Sequence, residues 1–386
     1  MQNIYPENFE KKIGFNHIRE MLHKKCLSIM GRERIAAIAF TDNYNEILQL
    51  LDEVSEFCLI INETENFPAD HFYDLRQSLE KIKIEGRFLE ASELFDLKRS
   101  LEAVKAVIRF LKKLDEDIYP LLKKKIHKVK IFPDIYDRID KIINKRGQIR
   151  DNASTDLAQI RKKILSLQNS ISRKLHSILK QAQKDGYVED DTTVSIRDGR
   201  AVIPVSAPNK RKIKGIVYDE SASGKTVYIE PNAIVEINNE IRELQYNERR
   251  EIVRILTEFT IYLRPYLDEL FSCYEFLGEV DFIRAKALLA IEFNSIRPEL
   301  TNMPFIKWKN AIHPFLWQTL KKENRKIIPL DILVDSQNHI LLISGPNAGG
   351  KSVCLKTVGL LQYMIQCGLL IPISEGSITG IFKNHD

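Results

Sequence analysis

The residues best suited to chemistry lie in one short run, Gly345-Pro-Asn-Ala-Gly-Gly-Lys-Ser352, which fits the spacing G-x-x-x-x-G-K-[ST]. Glycines at these points let consecutive backbone N–H groups curl round an anion with no Cβ in the way. A helix opening here would aim its positive N-terminal end at the same anion. Lys351 would then reach the β- and γ-phosphates of a nucleoside triphosphate, and the Ser352 hydroxyl would ligate Mg²⁺. The spacing therefore predicts a site for ATP and Mg²⁺ built from Gly345, Pro346, Asn347, Ala348, Gly349, Gly350, Lys351 and Ser352.

Such a loop needs a strand before it and a helix after it. Residues 339–344 form a short apolar run suited to a buried parallel strand. From Ser352 to Cys367, helical spacing runs through Val353, Leu355, Val358, Leu361, Met364 and Ile365, and Gly368 follows as a C-cap. The loop begins at residue 345 of 386, so most of the chain precedes it.

A second cluster of chemistry-bearing residues lies in 187–231, where the pattern has β period. Thr193-Val-Ser-Ile196 and Ala201-Val-Ile-Pro-Val205 flank Asp198-Gly199, a tight hairpin turn, and Pro204 suggests an edge or a strand end. Gly215-Ile-Val-Tyr218 and Thr226-Val-Tyr-Ile229 complete a small β module. Its cations are Arg197, Arg200, Lys210, Arg211, Lys212, Lys214 and Lys225. They suit the phosphate backbone of DNA or RNA, with affinity but little base readout, better than they suit an ordinary solvated surface.

Two long helical patterns bracket this module. Leu157, Ile160, Ile164, Leu167, Ile171, Leu175 and Ile178 keep three–four spacing, and Ile237, Ile241, Leu244, Ile252, Ile255, Phe259 and Tyr262 answer it. They predict an antiparallel helical arm carrying the β module at its tip. Before the arm, short helices fill residues 5–145. Phe15, Ile18, Met21 and Leu22 set one face, a second helix follows Gly31, and Thr41-Asp42 caps a third. Gly86, Pro120 and Pro133 are breaks, and Lys112, Lys113 and Lys123 to Lys125 read as a solvated face. After Pro265 the helical pattern resumes through Leu267, Leu270, Leu277, Ile283, Ala287 and Leu288, and short strands with Trp308 lead into the phosphate loop.

The expected fold is mainly α, with a small β clamp insertion and an incomplete α/β P-loop domain. Its divisions are a helical core (1–150), a first lever helix (151–186), the clamp (187–231), a second lever helix returning to the core (232–296) and part of a P-loop domain (297–386). A length of 386 residues agrees with several domains. The formal charge of +5 permits nucleic-acid binding without demanding it, so clustering decides. Cys26, Cys58, Cys273, Cys354 and Cys367 are scattered and show no metal-ligand spacing, which predicts free thiols in a reducing compartment and no zinc. The chain does not open on an apolar signal segment. Its most apolar stretch, 359–373, is interrupted by Gln362, Gln366 and Gly368, so a cytoplasmic protein with no membrane partner is expected.

Together these residues resemble the MutS family of ATPases. GPNAGGKS is similar to that family's GPN-x-x-GKS. Asn310-Ala-Ile-His313-Pro314-Phe-Leu316 resembles its A-R-H-P-L-L segment, with Ile312 where Arg is usual. The nearer resemblance is to the type-two homologues, which begin at the helical core. It is carried by Arg197 to Val205, Lys214 to Asp219, Ser221 to Thr226 and Ile229-Glu-Pro231. It implies a homodimeric, DNA-binding ATPase that favours branched or junction DNA, restrains recombination and changes its clamp's grip on binding ATP. Some such homologues act on stalled ribosomes, which leaves a ribosome-associated ATPase, or a non-catalytic DNA-binding remnant, as alternatives. The family continues with an acidic Walker B motif, often followed by a nuclease-like domain, whereas this sequence stops at Asp386. The resemblance thus implies no catalytic residue within these residues and little or no hydrolysis. Residues from about 297 onward are expected to be exposed and marginal, with an open sheet edge.

Overall fold

Amphipathic periodicity and local capping divide the first part of the chain into short helices. The computed structural model describes residues 8–63, 67–127, 129–197, 199–346 and 350–383. The early helices are α1 (Phe9–Ile13), α2 (Phe15–Lys25), α3 (Ile29–Ala36), α4 (Tyr44–Glu63), α5 (Arg76–Lys81), α6 (Ala91–Lys113), α7 (Pro120–Ile126) and α8 (Pro133–Ile142). The middle of the chain holds α9 (Thr155–Lys184), β1 (Ser195–Arg197), β2 (Arg200–Ser206), β3 (Gly215–Glu220), β4 (Thr226–Pro231), α10 (Asn232–Leu263) and α11 (Leu267–Glu292). Then come β5 (Glu299–Thr301), β6 (Ile306–Ala311), α12 (Pro314–Lys322), β7 (Leu330–Val334), α13 (Lys351–Gln366) and β8 (Ile378–Gly380). The mainly α expectation holds. No helix among the described residues is long and apolar enough to cross a membrane.

Two compact units interleave along the chain. The first comprises Met1–Glu80, Asp96–Pro133 and Pro265–Asp386; the second comprises Lys81–Phe95 and Asp134–Arg264. This differs from a linear division at 150 and 297, because residues 81–95 and 134–150 pack with the long helices and 297–386 packs with the early ones.

In the first unit α11 is buried along most of its length and packs against α2, α3 and α4. Its buried Asp281 accepts the N–H groups of Leu27 (3.0 Å) and Ser28 (2.8 Å) and the Ser28 hydroxyl (2.7 Å). Ser28 in turn accepts the Gly31 N–H at 3.0 Å and caps α3. Gly31 therefore lies inside α3 rather than before it: a Cβ there would collide with the Asp281 carboxylate. The cap of α4 is Asn43, one residue beyond Thr41-Asp42. Its Oδ1 accepts from the N–H groups of Asn45 (3.1 Å) and Glu46 (3.2 Å), while Thr41 donates to the Glu46 carboxylate at 2.8 Å.

The cationic run 123–125 is not simply a solvated face. Lys125 lies 2.7 Å from both Glu53 and Glu279, and Lys123 donates to the Leu114 carbonyl at 3.0 Å. A four-stranded sheet in this unit has the order β5-β8-β6-β7, with β5 parallel to β8 and the other pairs antiparallel. Buried Trp308 on β6 donates from Nε1 to the Thr379 hydroxyl on β8 at 2.7 Å.

In the second unit α9 and α10 run antiparallel, since Arg161 meets Glu248 and the later Lys163 meets the earlier Glu240, both at 2.7 Å. Ser154 caps α9 by accepting the Leu157 N–H at 3.0 Å. Of the expected seam, Leu157, Ile164 and Leu175 are buried and Ile160, Leu167, Ile171 and Ile178 are half-buried, while Leu179, outside that spacing, is buried as well. The β module forms a sheet of order β1-β2-β4-β3, antiparallel throughout. Ile203, Val205 and Ile229 cluster with Leu175, Leu179, Ala182 and Ile234, which seats the sheet on the ends of the two helices. Gly199, at φ 77°, turns the β1–β2 hairpin; Asp198 lies outside the described residues. Pro204 sits within β2 opposite Tyr228, but β1 pairs only with Arg200 to Val202, so Pro204 has a ladder on one side alone.

Candidate nucleotide and nucleic-acid sites

The phosphate-loop run ends where α13 begins. Gly350 is the N-cap, at φ 84°, and its carbonyl accepts the Cys354 N–H at 2.9 Å. Helix geometry leaves the N–H groups of Lys351, Ser352 and Val353 without intrahelical acceptors. Lys351 folds back over the loop, its Nζ donating to the carbonyls of Gly345 and of Pro346, the latter at 2.8 Å. Ser352 is exposed beside it. Among the described residues, and apart from chain neighbours, nothing lies within 4 Å of where a Cβ would stand on Gly345 or Gly350, which leaves room for an anion against the backbone. Free helix-terminal donors, a lysine at the mouth and a hydroxyl one residue on fit a phosphate–Mg²⁺ group. Asn347, Ala348 and Gly349 lie outside the described residues.

The strand expected ahead of the loop is absent. Residues 339–344 are irregular, with Ile340 81% and Leu342 90% exposed, and none pairs with a neighbouring strand. A buried parallel strand needs neighbours on both edges and cover on both faces, and the described residues supply neither. The expectation that everything from about 297 is exposed also needs correcting. Exposure concentrates in 323–356, whereas most of 357–381 is buried.

That stretch opens with the second half of α13, which is enclosed by the early part of the chain. Leu360, Leu361, Met364 and Ile365 are fully enclosed. Tyr363 donates to Glu10 at 2.6 Å and packs edge-on against Phe15 at 4.7 Å. Burial raises the Glu10 pKa, but Arg19 and the Tyr363 hydroxyl outweigh it and hold the carboxyl below its usual range. Buried Gln366 donates to the carbonyls of Thr41 (3.1 Å) and Phe382 (2.8 Å). The helix ends in a Schellman motif, with Gly368 N–H to Ile365 O at 2.8 Å and Leu369 N–H to Met364 O at 2.9 Å. Gly368 takes φ 70°, and a Cβ there would stand 2.6 Å from that of Leu50.

Lys286 of α11 is buried and donates to the Gly368 carbonyl at 3.2 Å, so a cation sits at the C-terminal end of α13. Burial lowers its pKa to about 8. Sequence reasoning passed over Lys286, although a lone lysine in the otherwise apolar run Ala285 to Ile291 was the available signal. His313 is the N-cap residue of α12, and its buried Nδ1 has no hydrogen-bond partner among the described residues. Burial and then the charge of Lys356 on α13 lower its pKa.

In the second unit the seven cations of the β module divide by role. Arg200 is committed to Glu230, which is fully buried, lies 2.7 Å away and also accepts from Asn238 at 2.7 Å. Arg197 stacks 4.4 Å from the Tyr228 ring centroid, donates to its hydroxyl at 2.9 Å and lies 3.9 Å from Asp219. Lys210, Arg211, Lys212, Lys214 and Lys225 are exposed. The Ala207 N–H donates to the Lys225 carbonyl at 2.9 Å, which ties the loop holding the first four to the turn holding the fifth. Glu230 was also missed; an acid closing an otherwise apolar strand was its signal.

Among the described residues no three His, Cys, Asp or Glu side chains are grouped to hold a metal ion, and the cysteines are free. Burial lifts the Cys26 and Cys273 thiols to about 12, as for inert core thiols.

No protein-family model matches the chain. Curated relatives do. Endonuclease MutS2 of Alkaliphilus oremlandii is 35% identical over 371 residues, 96% of this chain and 46% of the relative. Endonuclease MutS2 of Acetivibrio thermocellus is 36% identical over 377 residues, 97% of this chain and 46% of the relative. The protein of that name from Clostridioides difficile is 33% identical over 374 residues, again 96% and 46%. The chain belongs to the MutS family, type two. It spans about half the length of the curated MutS2 relatives it matches.

Proposed function

We propose that this chain carries the nucleotide-binding loop and the DNA-gripping clamp of a MutS-type ATPase. The observation that carries the reading is the start of α13: a left-handed Gly350, a free helix N-terminus and Lys351 folded across the loop mouth. When ATP is present its phosphates bring negative charge and a Mg²⁺ ion to this helix end. Lys351 exchanges carbonyl partners for phosphate oxygens, Ser352 offers its hydroxyl to the cation, and the helix N–H groups hold the anion in place. In the clamp, Lys210, Arg211, Lys212, Lys214 and Lys225 meet the backbone of branched or junction DNA, and the intact protein acts as a dimer that restrains recombination. Arg197 and Arg200 brace the clamp sheet through Tyr228 and Glu230.

The test is equilibrium binding of a fluorescent ATP analogue with Mg²⁺ by the full chain and by Lys351→Ala. Losing a charged hydrogen-bonding partner of phosphate predicts an affinity lower by about 10- to 150-fold. Equal binding by the two proteins would remove Lys351 from the site, and no binding by either would remove the site. Anisotropy with a labelled four-way junction and a linear duplex tests the clamp in the same preparation.

A further inference from the structure

The two long helices of the second unit differ in charge. From Leu157 to Lys184, α9 contains seven Lys or Arg and not one Asp or Glu, whereas α10 carries Glu236, Glu240, Glu243, Glu248, Glu251 and Glu258. Arg161 and Lys163 spend their charge on α10. Arg173, Lys180 and Lys184 do not. At 100° per residue they fall on one line, opposite Leu175, Leu179 and Ala182, which face the sheet. All three are exposed, and Ser177 and His176 fill the spaces between them.

We infer that this line on α9 is a second contact surface for the phosphate backbone of duplex DNA, continuous with the clamp loop. The continuity is structural. Three residues past Lys184, the Tyr187 carbonyl accepts from Asn209 Nδ2 at 3.2 Å, and the Tyr187 ring lies 5.9 Å from Lys212 Nζ. The loop bearing Lys210, Arg211 and Lys212 is thus seated at the end of α9. The nearest acid, Asp185, is engaged by Gln181 at 3.0 Å, and Glu189, Asp190 and Asp191 follow only after the helix has ended, where the Asp190 carbonyl accepts from Gln183 at 2.9 Å. Arg173 to Lys184 covers about 16 Å, a span over which a duplex presents a phosphate charge every ~1.7 Å of axis. A row of unpaired cations without interspersed acids complements that charge density, and a neutral peptide or an apolar partner would gain nothing from it.

The inference rests on the DNA-binding reading, so its test separates the two. Full-length chain is titrated against a fluorescein-labelled linear duplex, and a matching RNA duplex, between 50 and 200 mM salt. The wild type is compared with a stripe variant (Arg173→Gln, Lys180→Gln, Lys184→Gln) and a clamp variant (Lys210→Gln, Arg211→Gln, Lys214→Gln, Lys225→Gln). Glutamine keeps helix propensity, and unchanged helical circular dichroism and melting confirm folding. The expected result is at least tenfold weaker DNA binding by the stripe variant at low salt. Its slope of log affinity against log salt should be shallower by about 2 to 3, near 0.9 per lost phosphate contact. A stripe variant with wild-type affinity and slope, beside a weakened clamp variant, overturns this inference and leaves the function standing. Absence of DNA binding by the wild type overturns both, and a stripe effect confined to RNA overturns the choice of DNA.

Discussion

Among the strand-like stretches of this sequence, the β module becomes a sheet and the run just before α13 does not. In the β module, Ile203 and Val205 of β2 pair against β4 and close over Leu175, Leu179 and Ala182. Ile340 to Ile343, at least as apolar, lie exposed and unpaired. The difference is where the partners are. All four strands of the module lie within 37 residues of one another, so ladder and core are assembled from local chain. The run before the phosphate loop reads as a central parallel strand, which depends on neighbours distant in sequence. Apolar content states a need for cover, and topology decides whether it is met.

The same contrast divides α13, and the largest effect should come from its covered end. Leu361 is fully buried. Leu361→Ala should cost about 2–5 kcal/mol of the first unit's stability, as other buried leucine truncations do, measured by denaturant unfolding. A loss under 1 kcal/mol would mean that this half of the helix is not held as described. Next comes Glu230→Ala in the module. It leaves Arg200 and Asn238 without their buried acceptor and should cost about 2–3 kcal/mol, below the roughly 3–5 of a fully enclosed pair because Arg200 keeps water contact. Glu230→Gln, which retains an acceptor, should cost less. Equal losses would show that the interaction is packing and not charge.

How legible this was depended on distance along the chain. The long antiparallel helices were readable because heptad-like spacing reports a seam directly, and the hairpin because Gly199 must supply a left-handed turn. The start of α13 was readable for the same local reason. What sequence could not convey were pairings across hundreds of residues: Asp281 with Ser28, Tyr363 with Glu10, Lys286 with Gly368. Each satisfies a buried polar group, and its partner becomes known only once the helices pack. Arg197 and Arg200 show the converse. As letters they are two more clamp cations, but Tyr228 and Glu230 have already claimed them.

Lys286 supplies a smaller effect with a defined sign. Burial lowers its pKa to about 8 from an ordinary 10.5. Between those values the unfolded chain binds more protons than the folded one, so this residue's contribution to stability rises with pH across that window and is lost as pH falls through 8. The buried thiols act oppositely, since Cys26 and Cys273 titrate near 12 when folded and near 9 when unfolded. The readout is therefore a difference. Wild type minus Lys286→Met should climb from pH 8 to pH 10, while either protein alone can decline. A flat difference would mean that Lys286 is solvated and does not cap α13.

The smallest effect bears most directly on the comparison. Leu342 is 90% exposed, so Leu342→Asp should change stability by less than about 0.5 kcal/mol. Were residues 339–344 a buried strand, an unpaired carboxylate there would cost several kcal/mol. Hydrogen exchange gives the same discrimination without mutation. Amides at 340–343 have no ladder and should exchange at nearly the free-chain rate, while those of Leu361 to Ile371 open only with the unit. If the protection of 340–343 approached that of Ile371, the run would be finding sheet partners after all. Leu342→Asp would then become the more damaging substitution, and the phosphate loop would rest on a formed strand and not on α13 alone.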